Sequence, residues 1–243
     1  MSSIEFFSKL YNQRIVGYND YIIRHIVDNG SLWAKPICTH IVNHIKNGEE
    51  FIDIGANIGL VSLGVNKLAK EKGINIETVH CFECNTHTSL FLTENMNTLG
   101  DKCKVYTCAL ADKPKLCLMS INNYNQGANF IYKTVDYKQV SNYMYEFIES
   151  HNVYDKTNYI PCISLDSIQY QFKKVGVIKI DVEGFEYLVL VGAKELIMKH
   201  RPVIIVEIFD CNLDIVLSFL HNVLKYECTV IEAQDYLCIP LSI

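Results

Sequence analysis

Phe51-Ile52-Asp53-Ile54-Gly55-Ala56-Asn57-Ile58-Gly59 decides the fold of this chain. An apolar strand runs into a glycine turn, and Leu60, Leu63 and Leu68 then recur at helical spacing. Strand, glycine turn and helix in that order build a nucleotide-type cofactor site at the carboxyl end of a first sheet strand. The dinucleotide fingerprint G-x-G-x-x-G uses its second glycine to bring the backbone against a pyrophosphate, and Asn57 stands at that position here. Asp53 adds negative charge beside the turn. Both features disfavour a phosphate and suit a cofactor that carries positive charge, such as S-adenosylmethionine.

Outward from this stretch, strands and helices alternate. Strands are predicted over 51–54, 76–82, 104–110, 175–180 and 203–208, and helices over 58–71, 86–99, 185–199 and 212–224. A closing antiparallel hairpin follows over 226–232 and 236–239. This order implies a mainly parallel α/β sheet with helices on both faces. The right-handed crossover rule then puts the ligand site at the strands' carboxyl ends. Residues 1–47 read as an N-terminal helical cap, with helices over 5–10, 20–27 and 36–46. Residues 113–174 are too long for a simple connection. They read as an insertion with a hairpin (Leu116 to Ile121 and Asn129 to Tyr132) and a helix over 136–151, a natural place for acceptor recognition. With no Ser/Gly linker and no repeat, 1–243 reads as one domain.

Composition narrows the function classes. Hydrophobic residues at 49% and charged residues at 20% are ordinary for a soluble globular protein. A net charge of −5 gives no electrostatic reason to expect nucleic acid as the main partner. No apolar run reaches the roughly 18 residues of a membrane span, and the first residues lack a signal-peptide pattern. The expected setting is cytoplasmic, with the ten cysteines reduced. Cys81-x-x-Cys84 lacks the second ligand pair that zinc requires.

The chemistry-bearing residues fall at strand ends. Glu83 ends the second strand, where an acid can accept both ribose hydroxyls of an adenosine cofactor; a plain surface carboxylate is the alternative. Asp53 can contact the cofactor's ammonium or brace the glycine loop through backbone N–H groups. Asp112 follows the third strand and is placed either at the adenine or in solvent. Ile180-Asp181-Val182-Glu183-Gly184-Phe185-Glu186 follows the fourth core strand. Asp181 is expected at the strand tip beside the cofactor's reactive end, with Glu183 next to it, and Gly184 lets a substrate approach closely. Glu186 falls where a helix N-terminus stabilises carboxylates in any case. Glu207 ends the fifth strand, so Asp181 and Glu207 together can hold Mg²⁺ through oxygen ligands. Grouped carboxylates either bind a cation or carry raised pKa values, and both suit removal of a proton from a hydroxyl.

Taken together, these blocks resemble the FkbM-type S-adenosylmethionine-dependent methyltransferases. The resemblance rests on residues 51–59, on Val79-His-Cys-Phe-Glu83-Cys-Asn85, on Ile163-Ser-Leu-Asp-Ser-Ile168, on Val177 to Glu186, and on Gly192-Ala193 with Arg201 to Glu207. Cys84 stands where the family usually has proline. The resemblance implies a Rossmann-like class I methyltransferase fold of seven strands and O-methylation of an acceptor. It implies Asp53, Gly55, Ala56, Asn57, Gly59 and Glu83 for the cofactor and Asp181 near the methyl group. Metal-dependent sugar O-methyltransferases place acids at the tips of the fourth and fifth strands, which is similar to Asp181, Glu183 and Glu207.

The expected function is therefore methyl transfer from S-adenosylmethionine to a hydroxyl, with a sugar or glycan as acceptor and Asp181 or Glu183 as base. Protein, lipid or small-metabolite acceptors are the alternatives within the class. A non-catalytic cofactor-binding module is the alternative outside it. An NAD-dependent oxidoreductase fits poorly, given Asn57 and the lack of a Tyr-x-x-x-Lys signature.

Overall fold

The N-terminal segment begins with strands, not with the predicted helix over 5–10. In the computed structural model, which describes residues 3–122, 130–134 and 154–242, β1 (Ser3–Ser8) pairs antiparallel with β2 (Gln13–Tyr18). Ile4, Phe7 and Leu10 satisfy helical spacing, but Ile4, Phe6 and Ser8 alternate equally well, and a run this short does not separate the two periods. Asn12 takes the left-handed turn conformation at φ 52° that closes the hairpin. The other two N-terminal helices are present as α1 (Tyr21–Asn29) and α2 (Lys35–His44). Asp20 caps α1, accepting from the N–H groups of Ile22 and Ile23, and Gly30 ends it at φ 59°.

The decisive stretch folds as read. β3 (Glu50–Ile54) is buried along its whole length and leads through the glycine turn into α3 (Leu60–Glu71). β4 (Val79–Phe82) and α4 (Thr86–Met96) follow, with Asn85 accepting from the first free N–H groups of α4. The third predicted strand splits in two. β5 (Cys103–Tyr106) joins the central sheet, while β6 (Ala109–Leu110) leaves it for a second sheet. That sheet is completed by β7 (Lys115–Asn122), β8 (Phe130–Thr134) and β9 (Tyr154–Ile163), in the order β6-β9-β7-β8. The predicted hairpin is thus present as β7 and β8, and β9 is an addition to it. The helix expected over 136–151 lies outside the described residues.

The central sheet is completed by β10 (Val175–Ile180), β11 (Val203–Glu207), β12 (Tyr226–Glu232) and β13 (Asp235–Pro240). Its order is β12-β13-β11-β10-β3-β4-β5, parallel except where β13 runs against both β11 and β12. This is the class I methyltransferase arrangement, a seven-stranded, mostly parallel sheet with an antiparallel hairpin at its end. One core lies between the sheet and α2, α3 and the N-terminal hairpin, and a second lies on the opposite face. The helix predicted over 185–199 is broken into Glu186–Val191 and Lys194–His200. Gly192 lies at the break because a Cβ there would come within 1.9 Å of the Ala111 carbonyl oxygen. Asp166 accepts from the N–H groups of Glu195 and Leu196, so it caps the second piece across the chain.

β3 neighbours β4 on one side and β10 on the other. The chain direction across the sheet reverses there, and ligands of open α/β sheets bind at such a switch point, beyond the strands' carboxyl ends.

Candidate active site

Gly55 and Asp181 follow directly on the two strands that flank the switch point. Their backbones nearly touch, since a Cβ on Gly55 would lie 1.8 Å from the Asp181 carbonyl oxygen. Gly55 also has φ 78°, so only glycine fits the contact without strain. The turn is held by Gly55 and Ala56, whose N–H groups both donate to the Phe82 carbonyl at 3.0 and 2.9 Å. Asn57 takes φ 50°, a left-handed conformation that asparagine tolerates better than most residues. Gly59, at φ 88°, lets Leu92 and Met96 of α4 pack against the start of α3.

Above the turn lies a cavity of roughly 350 Å³, bordered by Gly55, Ala56, Asn57, Glu83, Lys179 and Asp181 among others. Glu83 is tied to the loop. Its Oε2 accepts from Asn57 N–H at 3.0 Å and its Oε1 from Asn85 N–H at 2.8 Å. A carboxylate has about four acceptor positions, so each oxygen keeps one for a ribose hydroxyl. Burial pushes this carboxyl up to about 7 despite those bonds. The geometry fits the adenosine half of S-adenosylmethionine: a glycine turn without a phosphate cradle, a diol-sized acceptor at Glu83, and a wall of Cys108, Ala109 and Leu110 for the base.

Two residues predicted to contact the cofactor lie outside the cavity lining. Asp53 is fully buried, accepts from Ser62 Oγ at 2.6 Å, and lies outside the cavity lining. The strand alternation turns it toward α3, where Ser62 holds it. Asp112 is paired with the Lys115 ammonium and also lies outside the lining, where Cys108 to Leu110 form the wall instead.

Lys179 is a cavity residue that sequence reasoning passed over. It is buried, and its Nζ lies 3.1 Å from Asp181 Oδ2, 3.4 Å from the Gly55 carbonyl and 3.5 Å from Asp53 Oδ1. A lysine inside the apolar run Val175 to Ile180 was the available signal, because an isolated buried ammonium is too costly to stand without a partner.

Asp181, Glu183 and Glu207 form one carboxylate cluster on the cavity, with oxygens all within 4.8 Å of one another. Burial alone would raise the Asp181 carboxyl. The Lys179 ammonium and hydrogen bonds from Glu207 and Lys179 outweigh it and hold this group below the usual carboxylate range. Burial, with the Asp181 charge added, pushes Glu183 up to about 8 and Glu207 up to about 9. Glu183 is also strained, at φ 53°, as residues at reactive sites often are. Glu186 is different. It is fully buried, its Oε1 accepts from Gly184 N–H at 2.7 Å, and it holds the turn rather than lining the cavity.

Among the described residues no helix is long and apolar enough to cross a membrane. No curated protein matches the sequence. Among solved structures, the methyltransferase FkbM from Methylobacillus flagellatus KT superposes with a TM-score of 0.54 at 16% identity. The match covers 80% of this chain but only 44% of that protein, so the chain spans less than half of its length. The precorrin-6y C5,15-methyltransferase from Geobacter metallireducens GS-15 gives a TM-score of 0.44 at 10% identity, covering 84% of this chain and 86% of that one. The SAH-bound methyltransferase PaMTH1 of Podospora anserina gives 0.44 at 8% identity, covering 80% and 72%. The methyltransferase FkbM domain model matches residues 53–236, from the glycine turn to the closing hairpin. The chain belongs to the FkbM family of S-adenosylmethionine-dependent methyltransferases.

Proposed function

We propose that the protein transfers a methyl group from S-adenosylmethionine to a hydroxyl of a sugar or glycan. The observation that carries this reading is the cluster of Asp181, Glu183 and Glu207 on the same cavity as the glycine turn and Glu83. The cofactor, when bound, supplies a methyl group on a positively charged sulfonium. Gly55, Ala56, Asn57 and Glu83 hold its adenosyl and amino-acid parts, and Gly59 allows the packing that keeps the turn in place. A hydroxyl is a weak nucleophile until its proton is accepted, and in-line displacement depends on alignment. Asp181, kept ionised by Lys179, accepts a hydrogen bond from the acceptor hydroxyl and aims its oxygen. Glu183, at about 8, is near the pKa at which a general base works best around neutral pH. It receives the proton.

Mg²⁺ is the second candidate assistant, on Asp181 and Glu207. Three oxygens within 4.8 Å fit a hard cation. Lys179, however, already supplies the counter-charge to Asp181 at 3.1 Å, so the lysine rather than a metal keeps that carboxylate ionised. Transfer with EDTA present tests that choice, and loss of activity restored by Mg²⁺ alone would reverse it.

The central test is Asp181→Asn, which keeps the shape and removes the charge. Transfer should fall by about 10²-fold or more, the scale of a lost acid–base partner. Calorimetric affinity for S-adenosylhomocysteine should change little. Full turnover in this variant with an accepted substrate would sink the assignment.

A further inference from the structure

Beyond the carboxylates the cavity has a wall that the steps above do not use. Tyr21, at the start of α1, and Trp33, just before α2, border it together with Ile22 and Ile131. The Tyr21 and Trp33 rings lie 6.0 Å apart at 81°, and His25 meets Trp33 at 5.3 Å and 88°. Both contacts are edge-to-face, with no parallel stack between the rings. Tyr21 is 68% exposed, which places it at the cavity mouth.

The charge inventory restricts what this wall can receive. The charged residues bordering the cavity are Glu83, Asp181, Glu183, Glu207 and Lys179. Lys179 is engaged by Asp181 and Asp53. Among the described lining residues, no cation is therefore left for a phosphate or a carboxylate, and the acids would repel either. An ammonium fares little better. Asp181 is already paired with the Lys179 ammonium at 3.1 Å, and a second ammonium at the same carboxylate would stand against that charge. What remains is an aromatic wall facing carboxylates that accept hydrogen bonds. A saturated ring with an apolar face and uncharged hydroxyls matches both.

We propose that Tyr21 and Trp33 form the acceptor subsite, and that it takes an uncharged pyranoside carrying neither phosphate nor carboxylate. This rests on reading the cavity as an O-methyl transfer site, and it adds the residues and the charge class of the acceptor.

The chain's only tryptophan is Trp33, so its fluorescence reports the subsite without requiring turnover. The full chain, saturated with S-adenosylhomocysteine, is titrated with uncharged methyl hexopyranosides and 6-deoxyhexopyranosides. Hexose 6-phosphates, a nucleoside-diphosphate hexose and methyl hexosaminides are titrated alongside. At least one uncharged glycoside should give a saturable change in emission. Tyr21→Ala, which leaves the reporter in place, should weaken that binding about tenfold, equivalent to roughly 1.4 kcal/mol of ring contact. Its affinity for S-adenosylhomocysteine should stay within about twofold, well inside the roughly 1.4 kcal/mol of a tenfold change. The proposal is overturned if the phosphorylated or amino sugars bind more tightly, if Tyr21→Ala leaves glycoside affinity unchanged, or if no glycoside perturbs Trp33. A saturable Trp33 signal without methyl transfer would refute the proposed function and leave the subsite standing. Transfer that is indifferent to Tyr21 and silent at Trp33 would refute the subsite alone.

Discussion

Gly55→Ala separates the two reasons for a glycine at the switch point. At φ 78°, an alanine incurs the left-handed cost of about 1–2 kcal/mol. Its Cβ would also lie 1.8 Å from the Asp181 carbonyl oxygen and must retreat to at least 3.0 Å. The carbonyl cannot move freely, because the Asp181 N–H donates to the Ile54 carbonyl at 3.0 Å, so the tips of β3 and β10 must part. Overpacking of this kind adds about 1–3 kcal/mol, which brings the loss to about 2–5 kcal/mol. Gly73→Ala is the internal control. Gly73 has a similar φ of 70°, but a methyl group added there would meet nothing within 4 Å, so it should lose only about 1–2 kcal/mol. Urea unfolding of both variants measures the difference, and transfer assays measure its consequence. A displacement of Asp181 by about 1 Å should lower turnover by about 10²-fold. Equal stability losses in the two variants, with unchanged m-values, would show that the contact between Gly55 and Asp181 costs nothing to disturb and would refute the close-approach argument.

The buried charges give three further outcomes. Lys179→Met removes the counter-ion of fully buried Asp53 and should cost about 3–5 kcal/mol in chemical denaturation. The same variant releases Asp181 from the ammonium that lowers its pKa. It also releases the base Glu183 from the same ammonium, so the acid limb of the pH–rate profile should move up by about one pH unit or more, and an unmoved limb would show that Lys179 does not set that group. Glu207→Gln tests the raised acid. A carboxyl with a folded pKa of about 9 against an ordinary unfolded one favours folding at low pH and loses that contribution as pH rises toward 9. The glutamine variant should therefore melt close to the wild type at pH 5 and above it at pH 9, and parallel melting curves across that range would contradict the assignment.

The sequence exposed what is contiguous along the chain. The glycine turn, Glu83 at the next strand end, and Asp181-Val-Glu-Gly each lie within a few residues of the element that positions them, so reading strand ends placed them on one cavity. Local pattern served less well where partners lie far apart. The hairpin of β1 and β2 is secured by Asn95, which exchanges hydrogen bonds with the Val16 backbone and also donates to the Ile58 carbonyl. Val16 stands 79 positions from Asn95, and no window over residues 3–18 contains both. Asp112 is a local case, since Lys115 three positions on pairs with its charge.

Asp53 and Lys179 show where a further step of sequence reasoning was available. Each stands two residues before the residue that meets its counterpart at the switch point, Gly55 in one strand and Asp181 in the other. Side chains alternate along a strand, so Asp53 shares a face with Phe51 and Lys179 with Val177. In the parallel register Lys179 lies opposite Asp53. Neighbouring strands that carry opposite charges at matching positions, both buried, must pair, because neither charge is stable alone in the interior. That pair explains why an acid so close to the glycine turn does not face the cavity. Its charge is taken up by Lys179, and Lys179 in turn holds Asp181 ionised. The negative charge that the sequence placed at the cofactor site reaches the cavity from the tip of the neighbouring strand, through Asp181.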